Sequence, residues 1–251
     1  MKKNDLEFYD VSAENWWNTD AKIYALYHLN QPRFAFFDRY VSDWKGLTAL
    51  DVGCGGGFSC EFMAQRGVAV SGIDQSPKCI AKAKEHAKSQ NLGIDYQQGF
   101  SENIPYGDNT FNIVTCVDVL EHVADLDKTV SEIHRVLKPR GLFLFDTINR
   151  TLKSKIIMIW LLENLLSEIP KGIHDWNKFI KPKELIKSLK YKGFENIEIK
   201  GFDLFGNNLP QNDLAYLYYK KTGGFQARIS DNPSVMYIGK AEKGTLYSSQ
   251  E

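Results

Sequence analysis

The chain has 251 residues, 43% hydrophobic and 25% charged, a balance that suits one ordinary globular α/β domain with additions. Its formal net charge is +0, which offers no long-range field for nucleic acid or acidic lipid. Met1-Lys2-Lys3-Asn4-Asp5-Leu6 lacks the apolar core of a signal peptide. Cys54, Cys60, Cys79 and Cys116 form no CxxC spacing and read as reduced thiols of a cytoplasmic protein. The longest apolar run, Ile156–Leu162, is far short of the about 20 residues that a membrane span needs.

Residues 5–45 read as helices rich in aromatics: Phe8, Trp16, Trp17, Tyr24, Phe34, Phe36, Phe37 and Tyr40. They suit a lid over a ligand site or plain core packing. Trp16 and Trp17 are adjacent, so both cannot point at one helical core face, and one is expected to face a ligand or a lid. From Leu47 the pattern alternates. Thr48–Val52 predicts a strand, Phe58–Gln65 the start of a helix and Val68–Ile73 a strand. Pro77–Ser89 predicts a helix with Ser76 as its N-cap. Strands follow at Ile94–Gln98 and Phe111–Cys116. Leu126–Leu137 is an amphipathic helix stopped by Lys138-Pro139-Arg140-Gly141, before a strand over Gly141–Asp146. Strands separated by helices imply a parallel sheet covered on both faces.

After Asn149 the rhythm breaks. Residues 151–181 read as a helical insertion, followed by a helix over Pro182–Tyr191. Ile197–Lys200 and Val235–Lys240 predict two more strands around a loop-rich stretch, 201–234, that holds Tyr216, Tyr218 and Tyr219. The expected fold is a single Rossmann-like α/β domain: a seven-stranded, mostly parallel sheet with helices on both faces and one antiparallel edge strand. Residues 1–45 would be an N-terminal helical lid, 46–150 the ligand-binding core, 151–181 the insertion, and 182–251 the rest of the sheet and an acceptor region.

The chemistry concentrates around Leu50-Asp51-Val52-Gly53-Cys54-Gly55-Gly56-Gly57. A strand running into Gly53-x-Gly55-x-Gly57 and then a helix is the opening unit of a nucleotide-binding fold. The dinucleotide pattern fails, because its last glycine position holds Phe58. Asp51 would repel a pyrophosphate but attract a cationic amine or sulfonium. Asp74 closes Gly72-Ile73-Asp74 about 20 residues on, where an acid accepts hydrogen bonds from a ribose diol. Asp118-Val119-Leu120-Glu121-His122 follows the strand at 111–116, at the sheet edge where such folds bind ligands. If a helical turn starts there, Asp118, Glu121 and His122 share one side. Three roles stay open for them: ligands of a divalent ion such as Mg²⁺ or Zn²⁺, a His122 general base positioned by a carboxylate, or a wall that shapes the acceptor site.

Four stretches resemble the class I S-adenosylmethionine-dependent methyltransferases: Asp51–Gly57, Gly72-Ile73-Asp74, Phe111-Asn112-Ile113-Val114 and Leu137-Lys138-Pro139-Arg140-Gly141-Leu142. Further runs are similar to the 3-demethylubiquinone O-methyltransferases. These are Trp16-Trp17, His28-Leu29-Asn30-Gln31-Pro32-Arg33, Leu120-Glu121-His122-Val123, Thr147-Ile148-Asn149-Arg150 and the unusual Ile169–Pro182. The resemblance covers roughly residues 7–200. It implies that S-adenosylmethionine is the cofactor, with Gly53, Gly55 and Gly57 against its methionine part. Asp74 and Gln75 would lie at its ribose, Arg33 at its carboxylate, and Val117 along its wall. Many class I enzymes carry an acid after the third strand that bonds the adenine amine; here Phe100 stands there, which implies stacking, with Ser101 or Glu102 supplying the polar contact. Mitochondrial relatives carry a similar acid-x-x-Glu-His cluster, which favours the divalent-ion role for Asp118, Glu121 and His122.

The activity implied is O-methylation of a phenol or catechol, such as a polyprenylated quinone precursor. Alternatives are an N- or C-methyltransferase of a specialised pathway, favoured by the unfamiliar 201–234, and a non-catalytic cofactor-binding protein. His174 and Lys178 lie where the family caps its acceptor site, with His174 a candidate second base. Residues 153–168 begin with lysines and turn strongly apolar around Trp160, as a helix docked on a lipid surface would. Packing on the sheet or in a homodimer is the plainer reading. The expected location is cytoplasmic, with peripheral contact at the inner face of the membrane.

Overall fold

The computed structural model describes residues 4–167, 169–204, 214, 217–219, 221–222 and 227–245. Tyr216 and residue 168, both within sequence expectations above, lie outside the described residues. Strands β1 (Thr48–Val52), β2 (Ala69–Asp74), β3 (Asp95–Gln98), β4 (Phe111–Cys116) and β5 (Leu137–Ile148) pair in parallel. With β6 (Phe194–Asp203), β7 (Arg228–Ser230) and β8 (Met236–Lys243) they form one sheet in the order β3-β2-β1-β4-β5-β8-β6-β7.

Alternation of side chains along the parallel strands explains why their sequences are almost continuously apolar. Ala49, Ile113 and Leu144 face a core formed with helices α2 (Asn30–Phe37), α3 (Phe58–Ala64) and α4 (Pro77–Ser89). Their neighbours Leu50, Val114, Phe143 and Phe145 face the opposite core, closed by α5 (Leu126–Val136) and α7 (Pro182–Tyr191). Ser76 caps α4 as expected: its hydroxyl accepts from the Cys79 amide at 3.1 Å, and Pro77 occupies the first turn, where no N–H is needed.

The sheet departs from the expected seven strands in two ways. An eighth strand, β7, adds three residues antiparallel to the outer edge of β6. Its sequence, Arg-Ile-Ser, is too short and too polar to announce itself. The long antiparallel strand, β8, is not at the edge but lies between β5 and β6. Burial of Met236, Tyr237, Ile238 and Ala241 is what a central strand requires. Strand β5 also starts earlier than predicted, since Lys138-Pro139-Arg140-Gly141 is an irregularity within the strand rather than a break. Arg140 takes φ +64°, and the pairing with β4 shifts register there.

The N-terminal region begins with α1 (Glu7–Ser12) and two 3-10 segments, Ala13–Asn15 and Lys22–Leu29, ahead of α2. In the insertion, α6 (Leu152–Ser154), capped by Thr151, runs into a π-helical segment over Lys155–Leu165. Both pieces lie over the carboxyl ends of the parallel strands, and Lys22 Nζ joins them through the Ser167 carbonyl at 2.5 Å.

Candidate active site

The glycine loop follows directly from β1. Gly53, Gly55 and Gly57 adopt φ of +75°, +52° and +99°, backbone that a Cβ would strain. Space forbids one as well: a Cβ on Gly55 would stand 2.3 Å from the Trp16 ring. Trp16 thus lies flat on the loop and is buried. Its neighbour Trp17 donates to the Gly56 carbonyl at 2.8 Å and stacks on His86 at 3.6 Å. The two tryptophans share Phe58 as a neighbour but otherwise take different contacts, and Trp16 lines the cavity above the loop.

Above the loop is a cavity of about 400 Å³. Arg33, Asp51, Gly53, Gly55, Asp74, Gln75, Phe100, Ser101 and Val117 all line it, as do Trp16 and Asn30. Gly57 does not; it caps α3, with its Cβ position taken by the Tyr96 hydroxyl. Asp74 accepts from the Gly55 amide at 2.9 Å and the Ser76 amide at 2.8 Å, which sets its carboxylate at the rim with acceptor capacity to spare. Asp51 is buried, accepts from Thr115 Oγ1 at 2.6 Å, and has its pKa pushed up by burial to about 6. Glu102 is occupied by the amides of Ala124 and Asp125, and Ser101 Oγ donates to it, so these two groups shape the loop beside Phe100.

Arg33 does more than line the cavity. Its guanidinium, 2% exposed, donates to Asp146 at 2.5 Å, to Asp118 at 2.7 Å and to Asn30 at 3.1 Å. A guanidinium fork carries more donors than these three bonds use, so it keeps capacity toward a ligand carboxylate. Two buried donors on the same cavity have no partner among the described residues: Trp16 Nε1 and Asn30 Nδ2. Buried donors left unmade are costly, and both fit a ligand rich in acceptors. The glycine cradle, a rim carboxylate placed for a diol and these free donors together suit S-adenosylmethionine.

The cluster after β4 is not a helical turn. Asp118 takes φ +56°, and the three side chains hydrogen-bond to different partners. Asp118 pairs with Arg33; Glu121 accepts from Thr147 Oγ1 of β5 at 2.7 Å; His122 Nδ1 meets Asn4 Oδ1 at 2.8 Å. Burial, then the Asp118 charge, raises the Glu121 pKa to about 8, against the pull of the Thr147 bond. Burial, then His174 and Lys178, lowers that of His122 to about 3. Among the described residues no group of three or more His, Cys, Asp or Glu side chains is placed to hold a metal ion. The expected ion site is therefore not assembled, since each donor is turned to a different protein partner. These residues do not fit a divalent cation.

A second cavity, of about 120 Å³, adjoins the first. Tyr9, Leu26, Asp118 and His122 line both. Its remaining wall is largely apolar, from Phe8, Ile23, Ile148, Met158, Leu162 and Ile173 among others, with Lys22, Glu121, His174 and Tyr219 as polar exceptions. The His122 and His174 rings stack with centroids 5.4 Å apart. Lys178 tethers the loop by donating to the carbonyls of Val123 at 2.6 Å and His122 at 3.3 Å. Asn4, Tyr9, Asn30 and Glu163 were missed as site residues: each is an ordinary residue type that reaches the site only through tertiary contact. On the outside of the π-helical segment Ile156, Trp160 and Leu165 are 60%, 71% and 72% exposed. Among the described residues no helix is long and apolar enough to cross a membrane.

Comparison with known proteins gives the family. A family model described as a methyltransferase domain matches residues 50–145. A ubiquinone biosynthesis O-methyltransferase of Pasteurella multocida is 37% identical over 196 residues, covering 74% of this chain and 81% of the relative. One from Haemophilus ducreyi is 36% identical over 207 residues, covering 80% of this chain and 88% of the relative. Among solved structures, a SAM-dependent methyltransferase of Thermotoga maritima superposes with TM-score 0.64 at 14% identity, over 94% of this chain and 98% of the other. A second, from Aquifex aeolicus, gives 0.60 at 14% identity, over 93% and 97%. At such identities the structures speak for the fold alone.

Proposed function

Because the chain belongs to the family of S-adenosylmethionine-dependent ubiquinone biosynthesis O-methyltransferases, we propose that it methylates a phenolic hydroxyl of a catechol bearing a polyprenyl tail, a quinone precursor. The observation that carries this reading is the meeting of two unlike cavities at Tyr9, Leu26, Asp118 and His122. The larger is polar where it meets the glycine loop, and the smaller is apolar apart from a few ionisable groups.

The bound cofactor supplies an activated sulfonium methyl. Residues of this chain do the rest. Asp51 sets negative charge beneath the loop, Asp74 takes the ribose diol, and Arg33, Asn30 and Trp16 offer donors to the carboxylate. The apolar wall holds the acceptor ring and the start of its tail with water excluded. Alignment of the acceptor oxygen with the methyl carbon is then the main catalytic contribution. A phenol with pKa near about 10 is a poor nucleophile at neutral pH, so proton removal helps. His122 and His174 flank the place where the hydroxyl would lie, and Glu121 and Asp118 complete its polar side.

The exposed apolar face of residues 152–165 fits the same substrate. Docked on a lipid surface, it would bring the smaller cavity to the membrane in which a polyprenyl tail resides. Lys153 and Lys155, beside this face, would then meet the headgroups.

Labelled S-adenosylmethionine should pass its methyl to a polyprenyl catechol and to a short-chain catechol, but not to a panel of amines. Transfer to amines alone would refute the reading. Replacing Ile156, Trp160 and Leu165 by serine should abolish co-sedimentation with anionic liposomes while turnover of the short-chain catechol persists. Equal sedimentation of both proteins would remove the membrane role.

A further inference from the structure

Glu163 is a buried carboxylate within a strongly apolar run. It lies on the π-helical segment over Lys155–Leu165, next to Leu162 of the acceptor wall, and is 1% exposed. Such a group is costly to bury unless its lone pairs are used. Glu163 Oε1 accepts from His174 Nδ1 at 2.6 Å and from the His174 amide at 3.2 Å, and Oε2 accepts from the Gly172 amide at 2.9 Å. These bonds fold residues 172–174 back onto the segment and fix the imidazole ring. A carboxylate only accepts, so Nδ1 donates to it, and in the neutral imidazole the lone pair is then on Nε2. No described residue hydrogen-bonds Nε2. The ring lines the acceptor cavity, stacked on His122 and held edge-on by Phe179 at 5.7 Å.

His122 has no comparable support. Its Nδ1 meets the neutral amide of Asn4, and burial lowers its basicity. Of the two imidazoles on the cavity, only His174 is backed by a buried carboxylate.

Building on the O-methylation reading, we propose that Glu163 is a positioning residue. It holds His174 in the tautomer and orientation that let Nε2 take the proton of the acceptor hydroxyl. In that step the acceptor O–H bond breaks as an Nε2–H bond forms, and the oxygen bonds the methyl carbon. The carbon–sulfur bond breaks, its electron pair staying on sulfur, which becomes a neutral thioether. The imidazolium, steadied by Glu163, later gives its proton to water. The carboxylate sits on the segment whose outer face is the apolar one, so seating of that segment and readiness of the base are tied together.

The test compares full-length wild type with Glu163→Gln and His174→Gln on two acceptors: catechol, and 4-nitrocatechol at a pH where its acidic hydroxyl is already ionised. Cofactor affinity by calorimetry serves as the control for folding. His174→Gln leaves both backbone donors on Glu163, so it is the variant better placed to fold. Either variant should keep its cofactor affinity and lose about 10–100-fold in kcat on catechol with little change in KM. On ionised 4-nitrocatechol both should stay within about threefold of wild type, because no proton needs removing. Undiminished kcat on catechol, or equal losses on both acceptors, would overturn the proposal. Wild type that binds the cofactor yet methylates neither catechol would overturn the O-methylation reading and this inference with it.

Discussion

Removing the Arg33 guanidinium should unsettle both cavities at once, because one side chain holds their shared wall. Arg33 bridges Asp146 at 2.5 Å and Asp118 at 2.7 Å, and Asp146 is 0% exposed. Two charges about 4 Å apart attract by roughly 4 kcal/mol at an effective dielectric near 20, and burial consumes much of that. Breaking such a pair from one side costs about 3–5 kcal/mol, since the other charge stays buried without compensation. Arg33→Met keeps the apolar stem, so this range is expected for the variant at pH 8 in urea unfolding. Burial already raises the Asp146 pKa against the pull of Arg33. Without the guanidinium it rises further, and at pH 5.5 Asp146 takes up a proton that erases much of the penalty. The loss should therefore be clearly smaller at pH 5.5 than at pH 8. Adding Asp146→Asn should recover part of the loss at pH 8 and little at pH 5.5. A cost under about 1 kcal/mol at pH 8, or no dependence on pH, would refute the reasoning.

Two further outcomes follow from the same region. The folded pKa of Glu121, about 8, lies above its ordinary 4.5. Its native form binds a proton that the unfolded chain has lost, so its contribution is complete below about pH 4.5 and is lost as pH rises through about 8. Glu121→Gln should flatten the fall in stability across that window and gain on the order of a few kcal/mol over wild type at its upper end; parallel curves would contradict the shift. Trp16→Phe keeps a ring over Gly55 and Gly56 but deletes the unpartnered Nε1–H. Cofactor affinity measured by calorimetry should drop about three- to tenfold with no loss of unliganded stability; an unchanged Kd would remove Trp16 from the cofactor contacts.

The cofactor half of the site was legible because its demands are local. Left-handed backbone at three successive odd positions needs glycine, and an acid at the end of β2 lies beside the loop whatever the rest of the chain does. Ser76-Pro77 announces α4 for the same reason. The acceptor half depends on contacts that span the chain. Asp118, Glu121 and His122 look like a ligand set in a window of five residues. Their partners Arg33, Thr147 and Asn4 come from other elements, and each pulls one side chain away. The π-helical segment shows no 3.6-residue period, so Glu163 could not be assigned a face. In the sheet, the position of β8 between β5 and β6 is a matter of topology that strand patterns do not encode.

The charge balance of the acid-rich loop leaves little for a divalent cation to neutralise. Asp118, Asp146 and Glu121 form an acidic floor, and Arg33 answers two of them directly. The third is answered by a proton, since the Glu121 pKa of about 8 leaves it largely neutral at physiological pH. A divalent cation would have to displace Arg33 from Asp118 and the proton from Glu121, and would face the guanidinium at close range. The same floor is well suited to a reaction that consumes a cationic sulfonium and releases a proton. Its fixed carboxylates favour binding of the cation, and a neutral Glu121 adds no anion that would oppose ionisation of the acceptor hydroxyl. Of the two imidazoles on the second cavity, His174 is the one with a carboxylate behind it.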